Sequence, residues 1–180
     1  MFLVRCQWSR REKLRPVQEI ANRCENMRQI IVLAFLLIAA TVQADTGTVV
    51  RVIDGDTVKI ANEQGITTVR LYGIDSPEKS QAFGQAAKGF TSQMVDGRVV
   101  NYTAIDTDRY GRTVAIVLIG TQCLQEQLIL QGYAWVYPDY CRKQFCRAWE
   151  KLQGISAGNR VGLWASPAPV RPWEWRKQAR

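Results

Sequence analysis

The sequence predicts a mixed β + α domain: a five-stranded β-barrel with about three helices packed on it. Three observations carry this expectation. From Thr46 onward, apolar and polar residues alternate in short runs divided by turn signals. After three such runs the apolar spacing changes to steps of three and four residues for one segment, then returns to the strand pattern. With 180 residues, 47% hydrophobic and 22% charged, the chain has room for one globular core and the balance of a folded protein.

The elements follow in order. Residues 48–53 alternate as a strand and end at Asp54-Gly55, a turn signal. Residues 57–60 continue as a second strand, Asn62-Glu63-Gln64-Gly65 turns the chain, and residues 66–72 form a third. Pro77 opens a helix through about residue 95, with Phe83, Ala86, Ala87, Phe90 and Met94 along one apolar stripe, closed by Asp96-Gly97. Two more strands, 98–105 and 113–119, flank the polar loop Asp106 to Gly111. A helix over about 124–130 stops at Gly132, and a last, mainly polar helix is expected over 141–157. The tail 164–180, rich in Pro and Trp, reads as an extended segment packed on the domain. Five strands with a helix between the third and fourth is the element order of an OB-fold, a barrel that commonly binds single-stranded nucleic acid.

Charge and targeting divide the chain. The net charge is +8, but residues 1–44 hold seven Lys/Arg against three acidic residues and residues 45–180 hold 17 against 13, so each part carries +4. A basic surface suits a polyanion, though charge alone names none. There is no His, which excludes imidazole as base, nucleophile or metal ligand and leaves acid–base work to carboxylates, Lys or Tyr. Residues 30–40 form an apolar run too short to span a bilayer comfortably. With Met27-Arg28 before it and Val42-Gln43-Ala44 after it, the run reads as a signal peptide over 27–44, cleaved after Ala44. The alternative is an uncleaved anchor through residues 30–40. Residues 1–26 form an Arg-rich extension, explained by a start assigned too early or by a cytoplasmic tail. The expected destination is the periplasm or the medium.

Export bears on the cysteines. Cys6 and Cys24 precede the apolar run, so Cys123, Cys141 and Cys146 remain in an oxidising compartment, enough for one disulfide and one thiol. Cys141 and Cys146 are closest in sequence, yet on one helix at that spacing they would not face each other. A link from Cys123 to either is open.

Four blocks then carry a specific resemblance. Val52-Ile53-Asp54-Gly55-Asp56-Thr57-Val58 is followed by Val69-Arg70-Leu71, by Ile74-Asp75-Ser76-Pro77-Glu78, and by Asp108-Arg109-Tyr110-Gly111-Arg112. With the later Gly132-Tyr133-Ala134-Trp135-Val136 and Gly162-Leu163-Trp164, they resemble the staphylococcal nuclease (thermonuclease) family over about residues 46–175. Singly each block is weak; an Asp-Gly-Asp alone usually marks a hairpin turn. Phosphodiester hydrolysis needs charge neutralised on the phosphate, a water deprotonated and the leaving oxygen assisted. The resemblance implies that Asp56, Asp75 and the carbonyl of Ser76 bind Ca²⁺, a hard ion suited to oxygen ligands. It implies Glu78 as general base, and Arg70 and Arg112 as a clamp on the phosphate. Tyr110 and Tyr137 are the candidates for contacting the nucleotide, with Tyr140 as the alternative to Tyr137. Asp54 is expected to cap its own turn, and Gln125-Glu126 to organise neighbouring loops.

The implied protein is an exported, calcium-dependent, monomeric endonuclease acting on DNA and RNA with little sequence preference, on single-stranded or locally unpaired substrates. It would leave 3′-phosphate and 5′-hydroxyl ends. The competing reading is a non-catalytic nucleic-acid-binding or interaction module on the same fold. Such relatives lack the acidic and arginine positions that this chain retains.

Overall fold

In the computed structural model, residues 44–178 are described. The extension 1–26, the apolar run 30–40 and the proposed signal peptide up to Gln43 lie outside the described residues. Strands β1 (Asp45–Asp54), β2 (Thr57–Asn62) and β3 (Gly65–Leu71) form an antiparallel meander, as the alternation and the two turns predict. After the two-residue strand β4 (Ile74–Asp75) and helix α1 (Gly84–Val95) come β5 (Val99–Thr107) and β6 (Thr113–Ile119). β5 pairs antiparallel with both β1 and β6, and β6 returns to pair parallel with β3 through Val69↔Thr113, Arg70↔Val114 and Leu71↔Ala115. That last pairing closes a five-stranded barrel and removes its open edges. The inward residues of every strand, among them Val49, Ile60, Val69, Leu71, Val100 and Val117, are buried.

Three helical expectations change. The helix expected from Pro77 begins only at Gly84. Glu78 to Gln81 form a turn closed by the Gln81 N–H donating to the Glu78 carbonyl (2.8 Å), and Phe83 then adopts a left-handed backbone, φ 67°. Helix α1 buries Gly84, Ala87, Thr91 and Val95, with Phe90 and Met94 at the margin of the core and Ala86 exposed, so the stripe sits about one residue round from the expected one. The last mainly polar helix, α3 (Cys146–Gly158), starts five residues later than expected. Cys141 therefore precedes the helix, and the geometric objection to its pairing with Cys146 disappears. The two form the disulfide, Cα atoms 5.7 Å apart, and Cys123 is a half-buried free thiol. The tail is not extended throughout: a 3₁₀ turn (Gly162–Ala165) is followed by a helix, α4 (Pro172–Gln178). The described residues thus hold four α-helices rather than about three.

Helix α2 (Leu124–Leu130) follows the short strand β7 (Gln122–Cys123) and joins these layers. Gln125, wholly buried, donates to the Ala115 carbonyl (2.9 Å) and accepts from the Val117 N–H (3.3 Å), fixing α2 to the barrel. Glu126 accepts from the Trp149 indole at 3.0 Å, fixing α2 to α3. Trp149 is 2% exposed and packs on Phe145. The disulfide lies beside Gly73, whose left-handed backbone (φ 71°) and missing side chain admit the Cys141 sulfur and Trp149; a Cβ there would approach that sulfur to 2.7 Å. This packing holds the corner between β3 and β4, and hence the start of the acidic loop.

Candidate active site

The β2–β3 register begins the site. It pairs Thr57 with Arg70, and the Leu71 N–H donates to the Asp56 carbonyl at 2.8 Å, so Arg70 stands beside Asp56. The Asp54 carboxylate accepts from the Asp56 N–H (3.2 Å), and Thr91 of α1 donates to the Gly55 carbonyl (2.7 Å), so the turn is held from both ends. β4 then pairs with β8 (Trp135–Val136) through Ile74↔Val136 and Asp75↔Trp135, which brings Asp75 into the same corner.

Four of the expected residues meet there. Arg70 donates through Nη1 to Asp56 Oδ2 at 2.6 Å and through Nη2 to Asp75 Oδ1 at 2.8 Å. The Ser76 N–H donates to Asp56 Oδ2 at 2.7 Å, and Thr57 Oγ1 to Asp56 Oδ1 at 3.1 Å. Asp75 is 2% exposed, Asp56 is 6% exposed, and Glu78 sits half-buried three residues on. Burial pushes the Asp56 carboxyl up to about 8, outweighing the pull of Arg70 in the other direction. Burial likewise raises Asp75, against the opposing effect of its arginine partners.

Arg112 ends the loop that leads into β6, the strand that closes the barrel against β3. It immediately precedes Thr113, the partner of Val69, while Arg70 pairs with Val114, so the backbones of the two arginines are two register positions apart along this seam. Its side chain is held by Asp108, Nε to Oδ2 at 2.7 Å, while Asp108 Oδ1 accepts from the N–H groups of Tyr110 and Arg112. These bonds hold the Asp108 carboxyl below the usual carboxylate range despite partial burial. Tyr110 lies under the Arg109 and Arg112 guanidinium groups and is 69% exposed, free to present a ring face. Tyr137 differs. It follows β8, its hydroxyl is pushed up by burial and by the nearby Asp75 charge, and its ring is covered by Trp173 at 4.5 Å in a parallel stack. Tyr140 is 65% exposed at 4.7 Å from Tyr137.

Sequence reasoning missed three contributors. Asp108 is one. Gln81, 7% exposed, accepts from the Glu78 N–H (3.1 Å) and donates to the Val170 carbonyl (2.7 Å). Arg176 of α4 reaches Asp75 and Glu78 from about a hundred residues away. Nothing in the sequence marks Gln81 but its position three residues after Glu78. Gly84 supports the same turn, since a Cβ on it would run into the Glu78 carbonyl. Gln81→Ala is expected to lower kcat by about 10- to 100-fold, with KM little changed, because the loop holding Glu78 loses its clamp. Steady-state cleavage of a labelled oligonucleotide reads this out, and an equal loss in both parameters would contradict it.

The donor set fits a hard cation. Asp56 and Asp75 turn oxygens toward one guanidinium and therefore toward one another's neighbourhood, and the Ser76 hydroxyl is buried without a hydrogen-bond partner. Among the described residues no group of three or more acidic, thiol or imidazole side chains gathers as a metal cage. An ion held by Asp56 and Asp75 would complete its shell from a carbonyl and water, as Ca²⁺ readily does.

The comparisons agree with this geometry. The family described as staphylococcal nuclease homologue matches residues 68–166. Protein ParB of Escherichia coli is 37% identical over 163 residues, covering 85% of this chain and 92% of that protein. An uncharacterized endonuclease of Haemophilus influenzae is 36% identical over 159 residues, 87% of each chain. A micrococcal nuclease of Shigella flexneri is 30% identical over 164 residues, 86% of this chain and 94% of that one. The chain spans about a third of the length of the plant relatives it matches. A closed barrel with an acidic corner bridged by arginine, matched along its length by nucleases, places this chain in the staphylococcal nuclease family, as a nuclease that hydrolyses phosphodiester bonds.

Proposed function

We propose that the protein is an exported, calcium-dependent endonuclease that cuts DNA and RNA with little sequence preference, acts as a monomer and favours single-stranded or locally unpaired substrates. One observation supports it above the rest: Asp56 and Asp75 are buried together in direct contact with Arg70, with Glu78 at the edge of the same loop. Arg70 and Arg112 donate paired hydrogen bonds to the phosphate, which strengthen as charge builds on its oxygens. Glu78 accepts the proton of the attacking water, within the loop fixed by Gln81. Asp56, Asp75 and the Ser76 carbonyl would hold Ca²⁺, which when bound would neutralise phosphate charge and acidify water. The products carry 3′-phosphate and 5′-hydroxyl ends. The exposed ring of Tyr110 offers a base a stacking surface indifferent to sequence. The test is degradation of single-stranded DNA by the purified protein with Ca²⁺ or with chelator. Cleavage unaffected by chelator would reject the calcium requirement, and binding without cleavage under any divalent metal would favour the interaction module.

The Cys141–Cys146 disulfide supports export, because such bonds persist in oxidising compartments. A secreted or periplasmic mature protein beginning at Asp45, read by mass spectrometry, is the expected result; retention in the membrane fraction would favour the anchor through residues 30–40.

Calcium affinity should depend on pH with a definite sign. A carboxylate ligand must be ionised, and Asp56 is raised from 3.8 to about 8. Binding is therefore expected to tighten as pH rises from 6 toward 8 and to level off above. Folding stability without metal runs the other way: the folded state binds the extra proton between pH 3.8 and about 8, so its contribution is lost as pH rises through that window. Titration calorimetry with calcium at several pH values checks the first, and denaturant unfolding checks the second.

A further inference from the structure

Helix α4 occupies the site in two places at once. Arg176 bridges Asp75 and Glu78, Nη2 to Asp75 Oδ2 at 2.8 Å and Nη1 to Glu78 Oε1 at 2.7 Å. One turn earlier Trp173 lies flat on Tyr137, ring centroids 4.5 Å apart and planes 7° from parallel. An arginine takes the carboxylate oxygens that a divalent cation and its water would use, and an indole takes the ring face on which a base would stack. The helix is attached mainly through two side chains, Trp173 on Tyr137 and Trp135 and Arg176 on Asp75 and Glu78. It has seven residues, of which only Pro172 is buried, and the Arg176 side chain is 40% exposed. A helix this short has little stability of its own and keeps its shape by docking. Its approach is tied to the acidic loop by the Gln81–Val170 hydrogen bond.

We propose that α4 is a displaceable latch: with no metal bound, Arg176 and Trp173 hold the carboxylate corner and the Tyr137 face closed, and calcium together with substrate drives the helix off both. This rests on the calcium reading above. The linkage is reciprocal, so whatever weakens docking of α4 must strengthen calcium binding. Because Arg176 is partly solvated, the expected gain is moderate, about 3- to 10-fold in affinity. Arg176→Ala alone would leave an ambiguity, since removing any positive charge near a cation site tightens binding. Trp173→Ala keeps every charge and removes the aromatic docking of α4, its stack on Tyr137 together with its edge contact to Trp135 and the Arg171 guanidinium over its ring.

The experiment is calcium titration calorimetry on the wild-type chain, Arg176→Ala and Trp173→Ala, with thermal unfolding to verify the fold of each, and kcat at saturating calcium. Tighter calcium binding in both variants, with kcat kept or raised, is the expected result. Equal affinity in all three overturns the latch and leaves the calcium reading standing. A gain in Arg176→Ala alone also overturns it, reducing the effect to local repulsion. A kcat reduced about 100-fold in Arg176→Ala overturns it in favour of a direct role on the phosphate. Absence of calcium binding in all three rejects the calcium reading and the latch with it.

Discussion

Arg70→Ala is expected to cut kcat by about 10²- to 10³-fold, the scale of losing a donor to transition-state charge, and to destabilise the metal-free protein as well. The second effect separates it from Arg112→Ala, for which the same loss of rate is expected with little change in stability. Arg70 is the guanidinium shared by two carboxylates whose side chains are 8% and 2% exposed. Removing it takes a charged donor from both buried carboxylates, which keep only their bonds from Ser76, Thr57 and Arg176, at about 1–3 kcal/mol. Arg112 pairs instead with Asp108 in a more open loop, where the two side chains are 31% and 20% exposed and an ion pair contributes about 1 kcal/mol or less. Calcium should return part of the stability that Arg70→Ala loses, because the ion supplies the missing positive charge. Thermal unfolding with and without calcium, beside single-turnover cleavage, tests both halves. Equal destabilisation by the two substitutions would show that Arg70 is not the counter-charge of the acidic corner.

The barrel was legible because strand periodicity and turn chemistry are local. Asp54-Gly55 and Asn62 to Gly65 set the two hairpins, and the hairpin register alone brings Arg70 to Thr57 and Asp56. Errors arose where tertiary packing overrides spacing. Pro77 looked like a helix start, but the turn from Glu78 to Gln81 and the left-handed Phe83 delay the helix to Gly84. That delay matters to function, since it leaves Glu78 on a loop instead of in a helical first turn. Cys141 looked helical because a polar run precedes α3; placing it outside the helix is what permits the pairing with Cys146.

Helix α4 was the other omission, and its signals were present: Pro172 at the first position, Glu174 in the first turn, Arg176 and Lys177 in the last. Seven residues among prolines and tryptophans gave too short a window for periodicity. Asp56, Arg70, Asp75 and Ser76 meet in the fold as neighbours of one corner, whereas Gln81, Asp108 and Arg176 join their neighbourhoods through contacts that no spacing announces. Arg176 in particular lies 98 residues from Glu78, and only the folded chain brings them together.

Glu78→Gln is expected to lower kcat by about 10²- to 10⁴-fold, the range for losing a general base. The substitution is close to isosteric and disturbs little else. The Glu78 N–H still donates to Gln81, the turn still closes through the Gln81 N–H, and a glutamine Oε1 still accepts from Arg176. What it removes is the capacity to take a proton from water. Substrate affinity, measured with an uncleavable single-stranded DNA analogue, should therefore hold within a few-fold while turnover collapses. The size of the loss decides what Glu78 does. A drop below about tenfold would mean that water loses its proton by another route and that Glu78 serves mainly to hold the loop and Arg176. In that case Gln81→Ala should be the more damaging of the two, since it releases the loop that Glu78→Gln leaves in place. If Glu78 is the base, the order is fixed: the carboxylate's loss must exceed that of the residue that only positions it.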